Sequence, residues 1–462
     1  MEEEKTISNF ISSLESHYAI LNGVEIDPPS KHDFFNKQAN KTVTFLAANM
    51  GTSEGLYKNL IPATAINMHV PNMRAFIANM QEVDASKNPS DAVFPSYRIS
   101  DEMVALSDYL VLPFLQEDIT QMVKSYREIN PNIKIAYQVD SNIFASAQSI
   151  PDTMSIKKLL KAKSGKELLL NNCDVCDMIF FSNDVVRNSY QKYLSEKGVN
   201  TNKKAITFYC RPFEYILGNQ WKYFQQASVV ADFILPEEQK FAQKFPKEET
   251  QLRFGIFLSP DNAYILEEFL PVIQSIYKKF GNRVQYVVVG LNEIEERSAI
   301  ESIISDKTTE TSTAKFLKEK IHPNLPKDIV CFHQRVPFHE YHALPYILNI
   351  DAVIMFAKDT IFNVGNINYI KYIEMAYMHL PVIASDVYPY NRFITSGDNG
   401  ILIANDPQFW VQEVESLISQ LDNKSENDMN KLDALEKLAY FKASSMDAST
   451  REVIAYYQEI FS

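Results

Sequence analysis

DAVIMFAKDTIFNVGNINYIKYIEMAYMHLPVIASDVYPYNRFITSGDNGILIA, residues 351–404, reads as strand, loop, helix, strand and turn. Residues 351–356 are an apolar run of strand length, and 380–384 are a second. Between them Ile370, Ile373 and Met375, with Leu380, supply the apolar face of a helix. Lys371 and Glu374 lie three apart on that helix, close enough to serve one ligand. Pro381 opens the following strand, where a missing backbone N–H is tolerated, and Ser396-Gly397-Asp398-Asn399-Gly400 is a dense turn cluster. Strand–helix–strand is the unit of a parallel sheet, and such sheets bind ligands beyond the carboxyl ends of their strands.

The same alternation runs outward through the chain. Strands are expected at 43–47, 108–112, 133–139, 178–181 and 205–209, then at 253–258, 284–289 and 329–332. Helical stretches fall between them, including 117–129, 264–280 and 338–348, with a last helix over 430–461 and an N-terminal one over 5–21. The polar stretch 236–251 suits a linker. This organisation predicts two parallel-sheet α/β domains: a helical extension at 1–40, a first domain at 41–235, a second at 252–425, and a C-terminal helix at 426–462. A chain of 462 residues is too long for one ordinary core, which agrees.

A net charge of −13, from 45 basic and 58 acidic residues, argues against non-specific nucleic-acid binding. The start, MEEEKTISNF, is acidic where a signal peptide is basic, and no stretch approaches a membrane-spanning apolar run. Four cysteines are too few for a disulfide framework. A soluble, cytoplasmic protein is expected. Lys157, Lys158, Lys161, Lys163 and Lys166 form a local basic run, read as a solvated helix face or as a peripheral contact with anionic lipid at the inner membrane face.

The ordered pattern D-A-V-I-M … F-N … I-K-Y-I-E-M-A … P-V-I-A-S … P-Y … G-x-N-G-I-L-I resembles the donor-nucleotide segment of family 4-like glycosyltransferases, of the polysaccharide and O-antigen type. The resemblance implies the GT-B fold, in which two doubly wound Rossmann-like domains face each other across a cleft and a C-terminal helix crosses both. It implies a nucleotide-diphosphate sugar as donor substrate, with no further cofactor and no metal, and a glycan, lipid-linked or protein acceptor. It implies retention of the anomeric configuration. Carried onto this sequence, Glu374 contacts the ribose and Lys371 the phosphates, while Asn363, Asn366 and Asn368 line the sugar; Ser385 and Gly290 fall on the donor side.

Two departures stand out. Asn366 occupies a position where retaining members carry a glutamate, and Phe257-Leu258-Ser259-Pro260-Asp261-Asn262 lacks the arginine and lysine that clamp a diphosphate. Arg211 and Arg335 are candidate substitutes. These departures leave open a second reading, a catalytically inactive GT-B-like scaffold, chaperone or subunit.

In the first domain, 43–47 runs into Asn49-Met50-Gly51-Thr52-Ser53-Glu54-Gly55 and a helix start, a cradle for an anion or sugar or simply a tight turn. Asp140 remains where relatives cluster several aspartates, with Gln138 and Ser141 beside it. Asp140 and Asn366 are the candidate catalytic residues, and Gly51, Gly55, His69 and Arg211 the candidate acceptor-side or cleft residues. Cys173 and Cys176 form C-x-x-C without a second pair, so zinc or redox chemistry is not expected. His339 and His342 share a helix face but lack a carboxylate ligand nearby.

Overall fold

The computed structural model describes residues 41–48, 55–80, 98–198 apart from 147, 155 and 163, 204–217 apart from 214 and 215, 245–291, 315–333 apart from 327, 344–423 apart from 368, and 431–462. The helix expected over 5–21, and Gly51, Arg335, His339, His342 and Asn368, lie outside the described residues. The chain divides into two compact units. Met1–Ser149, Lys158–Tyr223 and Ser444–Ser462 form the first; Ile150–Lys157 and Phe224–Ala443 form the second.

The first unit carries β1 (Lys41–Ala47), a π-turn (Leu56–Leu60), α1 (Ile61–His69), β2 (Met73–Asn79), α2 (Asp101–Leu106), β3 (Tyr109–Leu112), α3 (Thr120–Ile129) and β4 (Lys134–Val139). After α4 (Ile156–Lys161), whose first two residues belong to the second unit, come α5 (Gly165–Val175), β5 (Met178–Phe181), α6 (Asp184–Glu196) and β6 (Lys204–Thr207). Its sheet runs β2-β1-β3-β4-β5-β6, with every pair parallel. Every residue of β3 and β5 is buried, which is why YLVL and MIFF are continuous apolar runs rather than alternating ones. β2, MRAFIAN, was not expected; Arg74 and the flanking Pro71-Asn72 conceal it.

The second unit carries β7 (Leu252–Phe257), α7 (Tyr264–Phe280), β8 (Val284–Val289), β9 (Val330–His333), α8 (Leu344–Ile347) and β10 (Ala352–Met355). The decisive segment then supplies α9 (Ile361–Asn366), α10 (Ile370–Tyr377), β11 (Val382–Ser385), α11 (Tyr390–Phe393) and β12 (Ile401–Ile403), followed by α12 (Pro407–Asp422) and α13 (Lys431–Ser444). The sheet order is β12-β11-β10-β7-β8-β9, again all parallel. Strands to either side of the β7–β10 junction succeed one another in opposite directions, so this junction is the switch point of a doubly wound sheet.

An aspartate just before a strand stitches the amino ends together. Asp108, Asp177 and Asp351 accept from the backbone N–H of Thr42, Ile135 and Arg253 at 2.8, 2.8 and 2.7 Å. Each satisfies a donor that the ladder leaves open.

The single helix expected over 430–461 is two, α13 and α14 (Arg451–Ile460). Asp447 breaks it by accepting from both the N–H and the hydroxyl of Ser449 at 2.8 and 2.5 Å, while the Ala448 N–H donates to Pro212. α14 packs onto the first sheet: Phe461 meets Phe45, Tyr109 and Phe180 edge-on at 6.1, 5.3 and 6.0 Å. Burying a phenylalanine this fully contributes about 1.5–3 kcal/mol. No described helix is long and apolar enough to cross a membrane.

Candidate functional site

β7 ends at Phe257 and β10 at Met355, side by side at the switch point of the second sheet. The chain leaving β10 is held tightly. The Ala357 N–H donates to the Ser385 hydroxyl at 3.0 Å, and the Thr360 hydroxyl caps α9 by accepting from the Asn363 N–H. Asn363 is buried: its amide donates to the Lys358 carbonyl at 3.0 Å, and its Oδ1 accepts from the Tyr264 hydroxyl at 2.9 Å. Asn366, one turn later, is half-buried at the end of α9.

α10 enters beside this loop. Glu374 has a fully buried side chain, and its Oε2 accepts from Lys371 Nζ at 2.6 Å, while a third of the Lys371 side chain stays exposed. The three-residue spacing thus makes an ion pair whose carboxylate lies inward and whose ammonium reaches outward. Burial pushes the Tyr390 hydroxyl well above its usual range, with the Lys371 charge acting in the opposite sense.

Glu268, on the second turn of α7, completes the group. Burial raises its carboxyl pKa; the Lys358 charge and hydrogen bonding from Asn363 oppose the rise. Its Oε2 is shut off from solvent and has no hydrogen-bond partner, and the same holds for Asn405 Oδ1 just beyond β12. Polar atoms left open in this way are exceptional in a folded interior. Sequence reasoning missed Tyr264, Glu268, Lys358 and Tyr390. Tyr264 and Glu268 are four apart on one helix, which was a usable signal; nothing local pointed to the other two.

Gly290 sits at the end of β8 with φ of 97°, and a Cβ there would lie 2.1 Å from the Leu258 carbonyl oxygen. Only glycine lets the chain leaving β7 come this close. The Ser385 hydroxyl is buried against Ala357, so it supports the loop rather than facing solvent.

At the carboxyl end of the first sheet the arrangement differs. Gly55, buried, precedes the π-turn, on which Lys58 is buried as well. Lys58 Nζ reaches Asp140, just past β4, at 2.6 Å, with side-chain exposures of 7% and 16%. Lys58 was not foreseen from the sequence. His69 packs edge-on against Phe213 at 5.9 Å, and the Arg211 guanidinium lies 5.2 Å from the centre of the Tyr209 ring.

No sequence-family profile matches the chain, and no curated protein matches it either. Solved structures do. HepE from Anabaena, in complex with UDP-glucose, is 12% identical with a TM-score of 0.50, covering 91% of this chain and 99% of its own. Sucrose-phosphate synthase from Thermosynechococcus elongatus is 10% identical, with a TM-score of 0.53 and coverage of 91% and 99%. Trehalose 6-phosphate synthase from Burkholderia multivorans is 11% identical, with a TM-score of 0.51 and coverage of 92% and 96%.

The fold is that of the GT-B glycosyltransferases. In GT-B terms, Lys371, Glu374, Asn363 and Asn366 come together at the switch point of one Rossmann-like unit, and Asp140 and Gly55 at the carboxyl edge of the other. Cys173 and Cys176 are buried thiols outside any disulfide. Among the described residues no group of three or more His, Cys, Asp or Glu side chains could hold a metal ion.

Proposed function

We propose that the chain is a glycosyltransferase that moves a sugar from a nucleotide-diphosphate sugar to a glycan, lipid-linked or protein acceptor, with retention, as in the polysaccharide-type family 4 enzymes. One observation carries the reading: an inward carboxylate, Glu374, and an outward ammonium, Lys371, at the switch point of a doubly wound sheet. A carboxylate can accept from both ribose hydroxyls at once, and an ammonium neutralises phosphate oxygens as a point charge. The GT-B neighbours support the reading; HepE binds UDP-glucose.

In this reading Glu374 takes the ribose, Lys371 the phosphates and Asn366 the transferred sugar. Asn363 works from beneath, fixing the loop through Tyr264 and Lys358. The cation missing after β7 is offered from beyond the neighbouring strand by Lys358, which is exposed three residues past the end of β10. Developing charge on the leaving diphosphate would be stabilised by Lys371 and Lys358 together. Asp140, with Lys58 behind it, and the Gly51–Gly55 loop would shape the acceptor side. The nucleotide sugar is substrate, and no cofactor is required. Lipid contact through Lys157–Lys166 is not favoured at Lys157, which is engaged with Asp152 at 2.9 Å and with the Ile150 carbonyl.

The test is a panel of UDP-, GDP-, ADP- and dTDP-sugars incubated with the protein, with release of nucleoside diphosphate followed by chromatography. One donor should be turned over by the wild type and at least a hundredfold more slowly by Glu374→Ala. No release from any donor, with or without added acceptor glycans, would favour the inactive scaffold instead.

A further inference from the structure

A desolvated carboxylate is costly, whereas an amide of the same size can make hydrogen bonds without bringing a charge out of water. Where a charge serves the fold, as at Arg253, its neighbours take up all three guanidinium nitrogens. Glu268 is different. It stands one turn after Tyr264 on α7, half-buried, and its Oε2 is closed off from solvent with no hydrogen-bond partner among the described residues.

The groups around Glu268 show what its charge acts on. Burial raises its carboxyl pKa most, and the Lys358 charge is the largest influence in the opposite sense. The Asn363 side chain, from α9, is neutral and also lowers it, while Glu267 on the same helix raises it. Tyr264 on α7 and Tyr390 on α11 are kept protonated by burial, so neither adds a charge. Lys358 is thus the only cation among the described groups that act on Glu268. Hydrogen bonds tie its backbone to α7. Asn363 donates its amide to the Lys358 carbonyl at 3.0 Å and accepts from the Tyr264 hydroxyl at 2.9 Å, and the Thr360 N–H donates to the same carbonyl at 2.9 Å. With its backbone fixed in this way, the exposed Lys358 side chain stays within the field of Glu268 while its ammonium faces solvent.

We propose that Glu268 is a positioning residue that limits how tightly the second unit holds a diphosphate: its carboxylate shares the Lys358 charge and takes up a proton when diphosphate oxygens claim that ammonium. The assignment rests on the glycosyltransferase reading above, in which Lys358 meets the leaving diphosphate. Bringing a second anion to one lysine increases the carboxylate's affinity for a proton, so diphosphate binding and protonation reinforce each other. Ionised, Glu268 opposes the diphosphate and favours release of the nucleotide product; protonated, it does not. Wild-type affinity for a diphosphate must therefore fall, as pH rises through the titration of Glu268, more than it does without the carboxyl group.

The test is calorimetric titration of UDP into the full chain at pH 5 and pH 8, and at an intermediate pH in two buffers of different ionisation enthalpy. The proteins are wild type, Glu268→Gln, Lys358→Met and the double variant. At pH 8 Glu268→Gln should bind UDP about threefold more tightly than wild type, and at pH 5 the two affinities should converge. At the intermediate pH wild type should take up more protons on binding than Glu268→Gln does; the titration of UDP itself is common to both and cancels. A glutamate that only supported the fold would move neither the pH profile nor the proton count. In the Lys358→Met background, Glu268→Gln should change UDP affinity by less than about twofold. Equal affinities and equal proton uptake in wild type and Glu268→Gln would overturn the assignment, as would a gain that persists undiminished without Lys358. No binding of UDP by wild type would instead overturn the donor reading, and this assignment with it.

Discussion

Among the described residues, each unit has a buried lysine–carboxylate pair at the carboxyl end of its sheet, both with a 2.6 Å contact, but the pairs are turned opposite ways. In the second unit the carboxylate is innermost, with Glu374 fully buried and Lys371 a third exposed. In the first the ammonium is innermost, with Lys58 at 7% exposure and Asp140 at 16%. The second unit thus presents positive charge outward and the first presents negative charge. A diphosphate suits the former, and a hydroxyl that must be held as a donor suits the latter. The lesson is that the inner partner fixes the sign that the outer one offers to a ligand.

Several substitutions can break this comparison. The largest effect is expected from Asp140→Ala, which takes the carboxylate away from the deeply buried Lys58 ammonium; losing one partner of such a pair costs about 3–5 kcal/mol. Urea unfolding monitored by hydrogen exchange in β1 and β4 should show it, and the second sheet should be unaffected. Lys371→Ala takes the ammonium away from the buried Glu374 carboxylate and should cost about 3 kcal/mol, the low end of that range because Lys371 is partly solvated. Its loss should appear in the second sheet. Equal costs for removing the inner and the outer member of either pair would contradict the account.

Gly290→Ala comes next, at about 2–3 kcal/mol, because φ of 97° and the Leu258 carbonyl both exclude a Cβ. Differential scanning calorimetry would read it as a lowered midpoint. The smallest effect belongs to Glu268. Its folded pKa is raised by burial, so the unfolded chain loses this proton at lower pH than the folded one. Wild-type stability must then fall as pH rises from the unfolded pKa through the raised folded one. Glu268→Gln should abolish that fall, being more stable than wild type at pH 7 relative to pH 4. Parallel pH profiles of the two proteins would count against an ionising Glu268.

The two pairs also differ in how far the sequence disclosed them. Lys371 and Glu374 share one helix, so their spacing alone placed them together. Lys58 and Asp140 come from a π-turn and a strand end far apart in the chain, and only the folded sheet unites them. The same holds for Lys358 and Glu268. Strands buried on both faces were legible as apolar runs, and β5 and β8 fall at 178–181 and 284–289 as expected. β2 was not legible, because one arginine interrupts its run. The break between α13 and α14 depends on the Asp447–Ser449 turn and on a hydrogen bond to Pro212, which hydrophobic spacing does not register.

The amino end of the second sheet sharpens the contrast with its carboxyl end. There Arg253 is almost wholly buried, yet it donates to Gln285, Leu348 and Phe245 at 2.7–2.9 Å. At the carboxyl end Glu268 Oε2 and Asn405 Oδ1 are left without partners.

The central claim is that the second unit seats a nucleotide diphosphate over Lys371 and Glu374. Calorimetric titration of UDP into wild type and Glu374→Gln tests it most directly, since the substitution keeps the side chain's size and removes its charge. The account predicts saturable binding by wild type and at least a tenfold loss in the variant, about 1.4 kcal/mol. Equal affinities in the two proteins would contradict it.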